Sequence, residues 1–288
     1  MSTKTDARRH SARAKAEARR RARRRQILTI VGASAAVLAV VAVIVVIAAV
    51  GGGGSKDTAG AGRTPGAAAL AAVTAVPAAT LEQVGPGTTT TMPQPVNEPA
   101  LTRDGKPLVF YVGAEYCPYC AAQRWPFVQA MSRFGTWSNL DLTHSAAADV
   151  FPNTPTFTFH GATYTSDWLS FTGKELYTSE VRGDGYAPLD KLTAEEERLF
   201  TSHTQAFPFI DLGGKFLING ATYKPEVLKG LTALGIAEAM SDPSHPAAKG
   251  VDGSANVITA ALCQLTGNQP ANVCTAPPVA AITRTLTR

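Results

Sequence analysis

The sequence predicts an α/β domain that follows an N-terminal transmembrane helix. Three observations carry this reading. They are an uncharged run of 24 residues from Ile27 to Val50, an apolar run over residues 106–114 that passes straight into a helix signal, and a strand, Gly-Gly turn, strand pattern over residues 207–220.

The first run accounts for the charge. The 288-residue chain has a formal net charge of +5, yet eleven of its 27 Lys/Arg lie in residues 1–25, beside only Asp6 and Glu17. The rest of the chain is mildly acidic, with 20 of the 22 Asp/Glu. A short, Ala-rich basic block reads as a solvated tail and not as a nucleic-acid-binding domain. At ~1.5 Å per residue, about 24 helical residues span the roughly 30 Å hydrocarbon core of a bilayer. A cleaved signal peptide would be shorter, with a small-residue cleavage site close behind it; here Gly51–Gly54 follow. Cationic residues crowd the near side of the run, which places the N-terminus in the cytoplasm. The expectation is a cytoplasmic tail over 1–26, a single-pass cell-membrane anchor over 27–50, and an extracytoplasmic remainder. Anionic lipid head groups are a further candidate partner for the basic tail.

Residues 51–66 are Gly/Ser/Ala-rich and read as a flexible linker. Residues 67–84 read as a short helix or arm, and 85–99 as a Pro/Thr-rich loop, so that 67–100 precede the main domain. The continuous apolar stretch "KPLVFYVGA" suits a strand covered on both faces. Proline at Pro118 and glycine at Gly135 punctuate the helix that follows, and Pro126 interrupts it. "LDLTHS" (140–145) reads as a strand, and "PTFTFHGATYTSDWLSF" (155–171) as a hairpin with aromatic arms. Thr193 to Glu196 form a capping box. "FPFIDLGGKFLING" is the second hairpin, and helices are expected near Pro225–Leu231 and over "TALGIAEAM". In the last segment Val257, Ile258, Ala261, Leu262 and Leu265 gather on one helical face, which leaves Cys263 nearly opposite. Residues 101–275 make up the domain, and 276–288 a C-terminal tail.

Four cysteines in an extracytoplasmic chain suggest pairing more than metal binding. Cys117 and Cys120 straddle the strand-to-helix junction. A helix N-terminus aims unpaired N–H groups at the first sulfur and favours its thiolate. Cys120, nearly a turn on, can reach a mixed disulfide and release the partner. Cys117 is thus the candidate nucleophile and Cys120 the resolving thiol of a dithiol/disulfide pair, and no metal or organic cofactor is required. Cys263 and Cys274, with ten residues between them, read as a structural disulfide or as a second redox relay. Two competing readings of CPYC are a four-cysteine zinc site and an inert disulfide in a binding module. The first is disfavoured by the Cys263/Cys274 spacing. Hydrolytic chemistry at His144, His160, His203 or His245 has no supporting motif.

The segment "VFYVGAEYCPYC" resembles the active-site unit of thioredoxin-like proteins, and "FPFIDLGGKFLING" resembles their closing hairpin. The resemblance implies a thioredoxin-like fold, a mixed sheet flanked by helices, here with an insertion, since 87 residues separate Cys120 from Pro208. It also implies a cis-proline that holds the partner peptide beside the dithiol. Pro208, preceded by Phe207, matches that position best, and Pro155 is the rival. Tyr116, Tyr119, Trp125 and Phe207 are candidates for an apolar partner groove; for the three that flank the motif, core packing or the rim is an equal reading. The acid that thioredoxins bury six residues before the first cysteine is replaced by Tyr111. "GAEYCPYCAAQRWPFVQAMSRFGTWSNL" together with "ANVITAALCQLTGNQPANVC" is similar to the membrane-anchored domain of unknown function 929 family, over about residues 67–275. The expected function is thiol–disulfide exchange, with partners among protein thiols or disulfides of exported proteins or a membrane redox protein. The alternative is a non-enzymatic thioredoxin-like module with structural disulfides.

Overall fold

The structure, a computed structural model, describes residues 64–203 and 205–286. The basic tail, the candidate membrane span and most of the linker lie outside the described residues. Among those described, no single helix is long and apolar enough to cross a membrane.

Strand β1 (Thr64–Pro65) opens the described chain, followed by helices α1 (Ala67–Thr74) and α2 (Ala78–Val84). Pro77 ends α1's path and stands immediately before α2, so the expected arm is two short helices. Strands β2 (Gln94–Pro95) and β3 (Thr102–Arg103) lead to β4 (Lys106–Gly113), whose last six residues are all buried. That uninterrupted burial explains why the strand reads as a continuous apolar run with no alternation. Successive side chains of β4 enter two different cores, as the pleat requires. Val109 and Tyr111 join a large core, while Phe110 and Val112 join a smaller one.

Helix α3 (Pro118–Met131) leaves β4 through the dithiol. Pro126 lacks an N–H and so leaves the Ala122 carbonyl, four residues back, without its helical donor; the buried Tyr223 hydroxyl donates to that oxygen at 2.9 Å. Strands β5 (Gly135–Ser138), β6 (Asp141–His144), β7 (Pro155–Phe157), β8 (Thr163–Ser166) and β9 (Ser170–Glu175) follow. The aromatic hairpin expected over 155–171 does not form. Instead β7 pairs with β6, β8 pairs with β5, and β9 runs parallel to β4. The physical reason is burial. Phe157, Phe159 and Phe171 pack against Trp125, Trp137 and Phe127, contacts that a free-standing hairpin could not supply.

Strands β10 (Tyr177–Arg182) and β11 (Gly185–Pro188) make a separate ribbon before α4 (Ala194–His203). The capping box forms as expected: the Thr193 amide donates to Glu196 Oε2 at 2.8 Å, and the Glu196 amide to Thr193 Oγ1 at 3.2 Å. Strands β12 (Phe209–Leu212) and β13 (Phe216–Asn219) form the second hairpin, turning at Gly213 and Gly214, both at positive φ. A 3₁₀ turn at Pro225–Leu228 precedes α5 (Ala233–Ala239), α6 (Pro246–Leu265), α7 (Ala271–Cys274) and α8 (Pro277–Leu286).

The central six-stranded sheet is mixed. Its order is β2-β13-β12-β4-β3, and β9 pairs with β4 in parallel, off this path. The large core joins one face of this sheet to α3 and α6, and Phe200 of α4 covers the other face. Two expectations fail in the C-terminal region. Helix α6 is buried on all sides from Val251 to Cys263, not along one stripe, and Cys263 has no exposed surface. The cause is α8, whose Val279 and Ile282 join the same core, so the residues read as a tail supply the second cover. Cys263 and Cys274 are disulfide-bonded.

Candidate redox site

Cys117 is the N-cap of α3, in extended conformation, with Pro118 in the first turn. The first helical bond, Ala121 N–H to Cys117 O at 3.0 Å, leaves the amides ahead of it free to face the sulfur. The Cys120 amide does so, donating to Cys117 Sγ at 3.3 Å. Both thiols are free. Cys117 retains 7 % of its surface and Cys120 none, so a partner can reach only the first.

The two sulfurs have opposite proton affinities. A hydrogen bond from the Cys120 thiol lowers the pKa of Cys117 below the usual thiol range; the Cys120 amide and the Arg124 charge add to this, against the effect of burial. Burial is the first cause that pushes Cys120 well up, followed by its hydrogen bond to and the charge of Cys117. The pair is therefore poised to hold one proton on Cys120 and a thiolate at Cys117, the arrangement an attacking/resolving pair needs.

Arg124 and Glu175 were not found from the sequence. Arg124 is fully buried and grips fully buried Glu175 with two hydrogen bonds, Nε to Oε1 at 2.8 Å and Nη2 to Oε2 at 2.6 Å. Nη2 also donates to the Ala114 carbonyl at 2.8 Å, just ahead of the dithiol. Glu175 arrives from β9, paired in register with Gly113. Its burial raises its pKa, against the opposing pull of Arg124. Glu115 is also buried and accepts a 2.6 Å hydrogen bond from Thr158. A signal for Arg124 was present. Positions 117, 120 and 124 share one helical face, and Arg124 is the only charge in "CPYCAAQRWPFVQAM". For Glu175 there was none, because it depends on the parallel pairing.

The hairpin comes to the dithiol as expected. The Phe207 carbonyl lies 4.0 Å from Cys117 Sγ, and the Phe207–Pro208 peptide is cis. Pro155 begins β7, where its carbonyl accepts from Trp125 Nε1 at 3.0 Å. The four aromatics separate. Tyr116 and Phe207 pack against the cysteines. Tyr116 also stacks on Tyr186 with ring centres 4.0 Å apart, and its hydroxyl is pushed up to about 12, first by burial and then by Cys117. Tyr119 is 44 % exposed, edge-on to Phe151. Trp125 is wholly buried and belongs to the core, so it is not part of a partner groove. The groove beyond Phe151, about 380 Å³, is lined by Val150, Pro155, Leu228 and Leu231 among others.

The Cys263–Cys274 bond removes the second thiolate pair that a four-cysteine zinc site would need. The histidines have other partners. His144 faces the Ser145 carbonyl, His160 pairs with Asp190 and His203 with Glu98, and His245 caps α6.

Fold and site define a mixed α/β protein with a CxxC pair at the start of the helix that leaves its central strand. Residues 93–199 match the family model described as Domain of unknown function (DUF929), the family to which the sequence pointed. The match runs from just before β2 into α4 and holds the dithiol, Arg124 and Glu175. It stops short of the second hairpin and the disulfide. No curated protein and no solved structure matches the chain.

Proposed function

We propose that the protein is a membrane-anchored, extracytoplasmic thiol–disulfide oxidoreductase of thioredoxin-like fold, acting through Cys117 and Cys120. The observation that carries the reading is the asymmetry of the pair: a helix-capping Cys117 that keeps 7 % of its surface and has its pKa shifted down, above a fully buried Cys120 whose pKa is shifted up. The fold reading is supported by the joining of the strand–CPYC–helix unit and the closing hairpin in one sheet, through antiparallel pairing of β4 with β12. In the proposed exchange, Cys117 thiolate attacks one sulfur of a client disulfide, and the other client sulfur leaves as a thiolate. Cys120 then passes its proton to the departing client thiolate and attacks Cys117 Sγ. The client is released reduced, and a Cys117–Cys120 disulfide remains; run backward, the same steps oxidise a client dithiol.

The test is a redox titration of the purified protein in glutathione buffers, with alkylation of free thiols and mass-spectrometric counting. Rapid equilibration of the Cys117/Cys120 pair at roughly −120 to −230 mV, with Cys263–Cys274 remaining oxidised, is the expected result. A pair that resists reduction below roughly −300 mV would instead make CPYC a structural bridge in a binding module. In cells, Cys120→Ala should trap mixed disulfides with exported proteins, and Cys117→Ala should trap none.

A further inference from the structure

The smaller core contains a feature that thiol chemistry does not use. Asp211 stands in the middle of β12, on the same face as Phe209. It has no exposed surface. Its Oδ1 accepts the Gly214 amide at 2.6 Å, but buried Oδ2 meets no hydrogen-bond donor among the described residues. Leaving a buried carboxylate oxygen unpaired is costly, and each such atom in a folded protein asks for an unseen partner. Two other chelating side chains converge here: His203 at the end of α4, and Glu98 from the loop between β2 and β3. One ligand atom from each of the three lies within 4.8 Å of the others. His203 Nε2 and Glu98 Oε2 are 3.1 Å apart, with the two side chains 13 % and 33 % exposed. That spacing is close to the ~3.3 Å edge of a tetrahedron built from bonds of about 2.0 Å, the zinc–nitrogen and zinc–oxygen lengths.

We propose that Glu98, His203 and Asp211 form a divalent-cation site, with Zn²⁺ the best-matched ion. Two carboxylates and a neutral imidazole bring a charge of about −2, which a divalent ion balances. One nitrogen and two oxygens suit zinc and its first-row neighbours better than Ca²⁺, which takes six to eight oxygens. The ion would clasp three chain segments far apart in sequence. One of them ends four residues before Phe207, whose carbonyl faces Cys117. The inference does not depend on the redox reading.

The experiment uses untagged full-length protein in detergent, carrying Cys117→Ser and Cys120→Ser so that no thiolate competes. Calorimetric titration with Zn²⁺ should show one bound equivalent, and Zn²⁺ should raise the thermal midpoint. Co²⁺ in place of zinc should give visible absorption from the same stoichiometric site. Glu98→Gln, His203→Ala and Asp211→Asn should each weaken binding by about tenfold or more and remove the thermal shift. Glu98→Gln is the safeguard, since that side chain is partly exposed and the change keeps its size. No bound zinc, or binding undiminished in Glu98→Gln and Asp211→Asn, overturns the proposal; the three groups are then an ion pair centred on His203.

Discussion

At the scale of single residues the protein separates two chemically identical side chains by environment alone. Cys117 and Cys120 share one helical face, but the first caps the helix and the second is sealed beneath it. Alkylation of the reduced protein with iodoacetamide should therefore modify Cys117 with a midpoint below the ordinary thiol value of about 8.5, while Cys120 stays unmodified until the fold opens. Equal rates at both sulfurs would contradict the asymmetry. Arg124 acts on the same pair from within the core. Arg124→Met leaves buried Glu175 unpaired and should cost about 3–5 kcal/mol in denaturant unfolding. The double change Arg124→Met with Glu175→Leu should recover most of that loss. It should also shift the alkylation midpoint of Cys117 upward, since the Arg124 charge lowers the Cys117 pKa. A merely structural pair would leave that midpoint unmoved.

At the scale of elements, α3 tolerates a proline because another element repairs what proline removes. Tyr223 is 2 % exposed, and its hydroxyl supplies the donor that Pro126 lacks. Tyr223→Phe should therefore destabilise the protein by roughly 1–3 kcal/mol, the cost of an unsatisfied buried carbonyl. In a Pro126→Ala background the residue 126 amide can take over, and the same change should cost measurably less. A double-mutant cycle reads this coupling directly. Helix α6 makes a related point. Its sequence shows one apolar face, yet Gly, Ala, Ser and Thr on its other faces are buried too. Small residues bury with little desolvation and let neighbouring helices approach closely, so periodicity alone underestimates their burial.

At the scale of the whole molecule, the interior carries carboxylates that make stability depend on pH. Asp252 of α6 has no exposed surface; Gln129 of α3 donates to its Oδ1 at 2.8 Å, and Oδ2 has no donor among the described residues. Burial raises its pKa to about 7, against opposing contributions from the Gln129 hydrogen bond and the nearby Arg133 charge. The folded state therefore holds a proton that the unfolded chain, near 3.8, has already released. Stability contributed by this group is full at low pH and falls as pH rises from about 4 through about 7, with a limiting slope near 1.4 kcal/mol per pH unit. Asp252→Asn should remove that slope, so the variant's advantage over the parent in thermal midpoint grows between pH 5 and pH 8. A constant difference across that range would mean that Asp252 ionises normally.

Much of the chain's local structure is legible in its residues. The buried strand β4, the proline-started helix, the capping box of α4, the Gly-Gly hairpin and the pairing of Cys263 with Cys274 all follow from short-range chemistry. So does the placement of two cysteines at a helix start, which is sufficient to nominate the site. The tertiary structure decided where the segments between them went. The aromatic stretch over 155–171 joined three different partners in place of a hairpin, because only the core offered its rings enough contact. It brought Glu175 under the dithiol through a parallel pairing, and Glu98, His203 and Asp211 to one point from three distant segments. Strand partners and charge clusters of this kind rest on contacts between residues far apart in sequence. No local period or spacing encodes them.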